Sequence, residues 1–299
     1  MKSSGSASLG SGRALLACAF VSLSACSRSA PPSRFPTADD AIARMRATYA
    51  CVRGVQGESK VDYFGEQGRV RGNTLFVAMK PERLRFDVFS PFGVTLSTLT
   101  SDGKDFALLD IGGKRFWAGP ATACNVGRFL RVPVPPHALV SLLAGEAPVL
   151  VHDAVATTVA WESGSYVLRL ASKYDAEETI RLEPVDLDWD KPWNQQRVHV
   201  LGVTVVQQGI ELYRVELGDF ETSHTAKPRT DPDGIDPDVP PSGPPCDVET
   251  PRHVRIVSEA SAQDVLLVHG DLVLNPPLLP GLFVQSPPAG VKLLDAQCR

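Results

Sequence analysis

Between residues 81 and 110 apolar and polar side chains alternate, and turn residues break the alternation at short intervals. Leu84, Phe86 and Val88 alternate with Arg83, Arg85 and Asp87, the period-two pattern of a strand with one buried face. Ser90-Pro91-Phe92-Gly93 fits a type I turn, in which Pro presets the first central residue and Gly takes the fourth, left-handed position. A second run sets Val94 and Leu96 against Thr95 and Ser97 and ends at Asp102-Gly103, a strong hairpin signal. Residues 106–110 return as a third strand. This stretch folds as an antiparallel meander with an apolar tip, Phe89, Pro91 and Phe92, at one turn.

The rest of the chain repeats the same grammar. Thr37 caps a helix with Asp39 and Asp40 in its first turn, where the helix dipole favours negative charge, and Ile42, Met45 and Tyr49 share one side. Strands are expected over residues 55–64 and 70–79, with a turn at Gly65–Gly68, and a fourth run of the meander over 115–118. Residues 121–130 turn helical. Pro136 opens a short helix, 137–144, that Gly145 closes; Leu139, Val140, Leu142 and Leu143 make it apolar nearly all round. Such a helix is covered on several sides or lines a cavity. Strand patterns resume at 155–161, 166–171, 179–185, 198–206 and 210–217, and again at 254–257, 265–268, 271–275, 282–284 and 291–294. With antiparallel connections throughout, the expected fold is α+β. It is a strongly curved antiparallel sheet, an incomplete β-barrel of about eleven strands, with helices covering its concave face.

The N-terminus addresses the chain. Lys2 and Arg13 precede a run of about ten apolar residues, which is half of the roughly 20 needed to span a bilayer and the length of a secretory h-region. Leu23-Ser24-Ala25-Cys26 resembles a bacterial lipobox, in which Cys26 is diacylated and becomes the first mature residue. Residues 1–25 then form a signal peptide and 26–36 a Pro- and Ser-rich tether, followed by one domain over 37–299. Ser27 after the cysteine favours the outer membrane over inner-membrane retention. Losing Lys2 and Arg13 takes the formal net charge from −4 to −6. A mildly acidic surface argues against a nucleic-acid partner. Cys51, Cys124, Cys246 and Cys298 follow Cys26, an even set that suits disulfides in an oxidising compartment. Three pairings are open, with Cys51–Cys124 and Cys246–Cys298 preferred.

Little points to covalent chemistry. The six histidines are scattered, the cysteines lack zinc spacing, and there is no Gly-x-Ser-x-Gly elbow or phosphate-cradling Gly loop. No metal or cofactor is expected, and an enzyme with dispersed catalytic residues is the weakest reading. Residues 227–245 are rich in Pro, Asp and Gly, which reads as an exposed, poorly ordered loop. Within it, Asp231-Pro232-Asp233-Gly234-Ile235-Asp236-Pro237-Asp238 invites a calcium reading, but Gly falls fourth where a calcium-binding EF-hand loop needs it sixth. A solvated acidic linker fits better. Trp117, Trp161, Trp189 and Trp193 fall at strand ends or in loops and read as core or rim residues.

Taken in order, several of these segments resemble the LolA/LolB-like superfamily of periplasmic lipoprotein carriers and receptors, in particular its less characterised outer-membrane lipoprotein branch. The residues that carry the resemblance are the lipobox at Cys26, the first helix, residues 83–87 with Ser90-Pro91-Phe92-Gly93, and Asp102-Gly103 before Leu108-Leu109-Asp110. Residues 135–145, 251–257 and 272–275 add to it, as does Phe283 with Pro287-Pro288-Ala289-Gly290. The resemblance implies an incomplete barrel whose helices form a lid over an apolar cavity for the acyl chains of lipoproteins. It also implies a protruding apolar hairpin, nearest here to Pro91, Phe92 and Gly93, although this loop is short and the acidic insertion departs from the family pattern. Expected cavity residues are Leu84, Phe86, Val88, Leu96, Leu139, Leu142, Leu143 and Leu212, which either line a hollow or fill it. The resulting expectation is a lipid-anchored protein on the periplasmic face of the outer membrane that binds acyl chains or lipoproteins. The alternative is an assembly lipoprotein with a filled core that docks a periplasmic protein partner.

Overall fold

The computed structural model describes residues 28–65, 68–90, 92–130, 134–235 and 237–297. The expected signal peptide, Cys26, Pro91 and Cys298 lie outside them. The first half of the chain contains α1 (Ala38–Thr48), β1 (Gly54–Gly65), β2 (Gly68–Met79), β3 (Arg83–Phe89), β4 (Thr95–Ser101), β5 (Asp105–Asp110), β6 (Arg115–Pro120), α2 (Ala123–Leu130) and α3 (Pro136–Leu143). The second half contains β7 (Thr157–Glu162), β8 (Ser165–Ser172), β9 (Ala176–Pro184), β10 (Val198–Gln207), β11 (Ile210–Thr225), β12 (Asp247–Ser258), β13 (Gln263–Leu274) and β14 (Lys292–Asp295).

These strands form one open sheet in the order β14-β6-β5-β4-β3-β2-β1-β13-β12-β11-β10-β9-β8-β7. Among the described residues fourteen strands replace the expected eleven or so, because alternation marks the face of a run but not whether a short run finds a neighbour to pair with. The sheet is also not antiparallel throughout. β14 crosses over to pair parallel with β6, and β11 meets β13 in a two-residue parallel contact. Residues 265–268 and 271–275 belong largely to one strand, β13, and residues 282–284 form turns instead of a strand. That last segment lies over β3, where the Leu282 carbonyl accepts from Arg85 at 3.2 Å and Phe283 is buried beneath Arg83.

Local chemistry explains the helices. The Thr37 hydroxyl accepts from the Asp40 amide at 3.1 Å, satisfying an orphan N–H of the first turn, as expected. Pro136 takes the first position of α3, and Gly145, at φ +85°, ends it. Ile42, Met45 and Tyr49 of α1 are buried, and α1 packs against β7 and β10. α3 touches β2, β3 and β12. β3 and β12 stand four places apart in the sheet, about 19 Å if the sheet were flat, while a helix is about 10–12 Å wide. α3 thus bridges strands that stand four places apart in the sheet. The core is Met45 and Tyr49 from α1, Leu139, Leu142 and Leu143 from α3, and sheet residues such as Leu84, Phe86 and Leu168. Each such aliphatic side chain contributes about 1.5–3 kcal/mol by leaving water.

Long-range links revise two segments. The pairing preferred from the sequence is overturned: Cys51 is bonded to Cys246, with Cα atoms 5.4 Å apart. The end of α1 and the start of β12 meet at one rim, which sequence spacing does not reveal. Cys124 is also disulfide-bonded. Residues 227–245, expected as a poorly ordered loop, are tied down by a bridge between Arg229 and Val239, by another between Pro241 and Pro277, and by the disulfide at Cys246. The Asp231 carboxylate caps a local turn, accepting from the amides of Asp233 and Ile235 at 3.3 and 2.7 Å. Composition reports whether a segment can hold its own core, not whether distant residues pin it.

Candidate functional site

The antiparallel registers decide which side chains share a face. Val61 and Tyr63 of β1 stand opposite Gly72 and Val70 of β2, and opposite Leu267 and Val265 of β13. Val88 of β3 stands opposite Ser97 of β4, two residues on from Phe86, and Leu108 of β5 stands opposite Trp117 of β6. With a period of two, these residues point to the same side. There they line a cavity of about 440 Å³, within the usual range for ligand pockets. It opens to solvent where Val70 and Leu96 are exposed.

Leu96 reaches this cavity by a local irregularity. Val88 pairs with Ser97 but Phe89 with Thr95, so Leu96 is the extra residue of a bulge. Leu96 and Ser97 both line the cavity, which strict alternation would forbid. Charged groups edge it. Arg115 bonds the Asp110 carboxylate at 2.7 Å and lies 5.0 Å over the Trp117 ring, and Arg71 bonds Asp62 at 3.2 Å. The Gly113 amide and the Arg115 guanidinium hold the Asp110 carboxyl below the usual range, so it is ionised at neutral pH.

Of the eight expected cavity residues, Phe86, Val88 and Leu96 line this space. Leu84, Leu139, Leu142 and Leu143 are fully buried and fill the interior around α3. Leu212 is half-buried against the core and does not line the cavity. The interior is thus packed on the helical side and open toward the β1–β2 and β3–β4 turns. Val61, Tyr63, Leu108, Trp117, Val265 and Leu267 were not expected. Their alternation is visible in the sequence, but placing them in one cavity requires the pairing of β1 with β13.

Beside the opening, Phe92 is 92% exposed, and Val94 and Ile111 are exposed too. Gly93, at φ +78°, donates its amide to the Ser90 carbonyl at 3.0 Å, closing the turn expected there. Two further depressions, of about 370 and 320 Å³, are lined partly by charged residues, Lys60, Asp62 and Arg71 in one, Arg85, Asp87 and Arg229 in the other. Deeper in the interior, Ser59 and His269 meet at 2.6 Å, from 210 residues apart. Burial pushes the imidazole down to about 3, so it is neutral, and its Nε2 has no partner among the described residues. Neither residue lines the cavities above. The pair is a polar contact of the interior beside Phe76, whose ring stacks on Phe86. Among the described residues no group of three or more His, Cys, Asp and Glu side chains could hold a metal ion. No helix among them is long and apolar enough to cross a membrane.

One large open sheet with few helices and an apolar cavity on one face is the architecture of an incomplete barrel. No family model matches the chain, and no curated protein matches it in sequence. Solved structures do match by fold. A DUF1329 family protein from Desulfovibrio piger superposes with a TM-score of 0.51 at 10% identity, over 82% of this chain and 94% of that one. A domain from Vibrio parahaemolyticus, described provisionally as outer membrane lipoprotein-sorting, gives 0.48 at 11% identity over 81% and 95%. A LolA superfamily protein from Nitrosomonas europaea gives 0.47 at 10% identity over 83% and 98%. At such identities the likeness concerns the fold, and the Desulfovibrio protein carries it.

Proposed function

We propose that this protein is a lipoprotein anchored through Cys26 to the periplasmic face of the outer membrane, and that it binds an acyl chain or another lipid in the cavity beside the β3–β4 turn. The observation that carries this reading is the cavity of about 440 Å³ whose walls are mainly apolar and aromatic side chains from seven strands. A site of that make-up recognises hydrocarbon by exclusion of water, at about 25 cal/mol per Å² buried, and has no need of covalent chemistry. α3 supports the cavity from the packed side. The charged pairs at its edge, with the exposed Phe92 and Val94, suit an amphiphile whose head stays outside. Transfer of lipids or lipoproteins toward the outer membrane is the process such a site serves.

Native mass spectrometry of the chain without its anchor tests this. Bound lipid should appear as a mass increment that delipidation removes. A protein free of lipid that also fails to take up a fluorescent fatty acid overturns the reading. The packed interior around α3 favours a second reading, in which the scaffold docks a protein partner through its exposed rim. Palmitate labelling lost in Cys26→Ala tests the anchor separately.

A further inference from the structure

We propose that residues 28–35 fix how the anchored domain sits. The rim carrying the β7–β8 turn rests on the bilayer that holds the anchor, and the mouth of the cavity opens at the opposite rim, away from it. This rests on the reading that Cys26 is acylated.

The segment expected as an extended tether is clamped to the domain from residue 28 on. The Arg28 guanidinium lies 3.5 Å over the Trp189 ring and 2.9 Å from the Asp186 carboxylate, while its carbonyl accepts from Trp161 at 3.1 Å. Ser33 accepts from the Trp193 amide at 2.9 Å and, through its carbonyl, from Gln196 at 3.1 Å. Phe35 is buried between Tyr166 and Trp193. No slack is left until Arg28, and only Ser27 separates it from Cys26, two Cα steps with a covalent reach of about 7 Å. An anchor at Cys26 therefore holds this part of the domain at the membrane surface.

The register says which part that is. The β7–β8 turn and the connection after Pro184 leave one edge of the sheet. The turns β8–β9, β10–β11, β1–β2 and β3–β4, the last bearing Phe92, leave the other. The clamped edge has the make-up of a bilayer contact. Leu187 is 81% exposed beside Trp189, and Trp161 packs edge-on against Trp189 at 5.7 Å. Tryptophan suits the headgroup layer because it is apolar in body and polar at one tip. The charges around it are mixed, Arg28 and Lys191 with Asp186 and Asp190, so the contact is aromatic and apolar and does not depend on anionic lipid.

The test uses the full lipoprotein in phosphatidylcholine vesicles with brominated chains, which quench tryptophan in contact with them. Leu187→Trp and Phe92→Trp place reporters at two exposed positions where folding is not at stake. The added emission of Leu187→Trp should be quenched, and that of Phe92→Trp should survive. Quenching of Phe92→Trp without Leu187→Trp, or of neither, overturns the orientation. Mass spectrometry of the same sample shows whether Cys26 carries acyl chains. If it does not, the anchoring reading fails by itself. The same two variants, held on nickel-chelating lipid by a histidine tag at residue 26, then decide the orientation.

Discussion

The side-chain amide of Asn275 donates to the carbonyl of Cys51 at 3.0 Å, across 224 residues of sequence. It also donates to the Pro244 carbonyl at 2.7 Å, and its oxygen accepts from the amides of Arg53 and Gly54 at 2.7 and 3.3 Å. Asn275 sits at φ +52°, which Asn tolerates better than most residues. One side chain thus joins the end of α1, the start of β1 and the end of the acidic insertion. Asn275→Ala strands these backbone groups, at about 1–3 kcal/mol for each that stays buried. The expected outcome is a urea midpoint lowered by several kcal/mol equivalent, with Asn275→Asp in between because it keeps the acceptors. An unchanged midpoint would remove Asn275 from the account of this corner.

The Cys51–Cys246 bond closes a span of 195 residues at the same place. In the chain-entropy view such a cross-link stabilises by about 2–5 kcal/mol. Cys51→Ser and Cys246→Ser should lower stability equally, and the double variant should lose no more than either, read from equilibrium urea unfolding. Additive losses would contradict the pairing.

Two buried ionisable groups set the pH profile in opposite directions. Burial pushes the Glu178 carboxyl up to about 8; its Oε2 accepts from the Leu150 amide at 2.8 Å and its Oε1 has no partner among the described residues. The folded state holds that proton more tightly than the unfolded chain, so this contribution is full below about pH 4.5 and lost as the pH rises to about 8. The depressed His269 works the other way: its contribution is full above about pH 6.5 and lost as the pH falls toward 3. Stability should therefore decline above pH 6.5, and Glu178→Gln should flatten that alkaline limb. Parallel curves for the two proteins above pH 6.5, from urea midpoints at stepped pH, would refute the assignment.

Lining and filling residues should separate by phenotype. Val88→Asp and Leu108→Lys put a charge into the cavity wall and should weaken uptake of a fluorescent fatty acid by about tenfold or more, roughly 1.4 kcal/mol per decade. Leu142→Ala, inside the packed region, should cost about 2–5 kcal/mol of stability and leave the affinity of the folded fraction unchanged. Titration and urea unfolding on the same samples decide the matter. Equal loss of binding in all three would mean that the cavity is not the site.

Much of the local structure was legible in the residues. The cap at Thr37, the helix start at Pro136, the turn at Ser90 to Gly93 and the meander through Asp110 appear where alternation and turn chemistry put them. Those signals act over a few residues, so each run carries its own. The site was legible in part. Phe86, Val88 and Leu96 were expected and line the cavity, but Leu96 does so through a bulge that no pattern marked. Leu84, Leu139, Leu142 and Leu143 looked the same in sequence and fill space instead.

The sequence by itself determined the strand and helix grammar, the apolar faces and the polar caps, because neighbouring side chains and backbone geometry decide those. Only the tertiary structure decided that fourteen strands share one sheet, that Cys51 takes Cys246, and that residues 28–35 are clamped beneath Trp161 and Trp189. The same holds for the meeting of Val61 and Leu108 across one hollow. These are contacts between residues tens to hundreds of positions apart. They depend on which edges pair, and the period of a single strand carries no record of its partner.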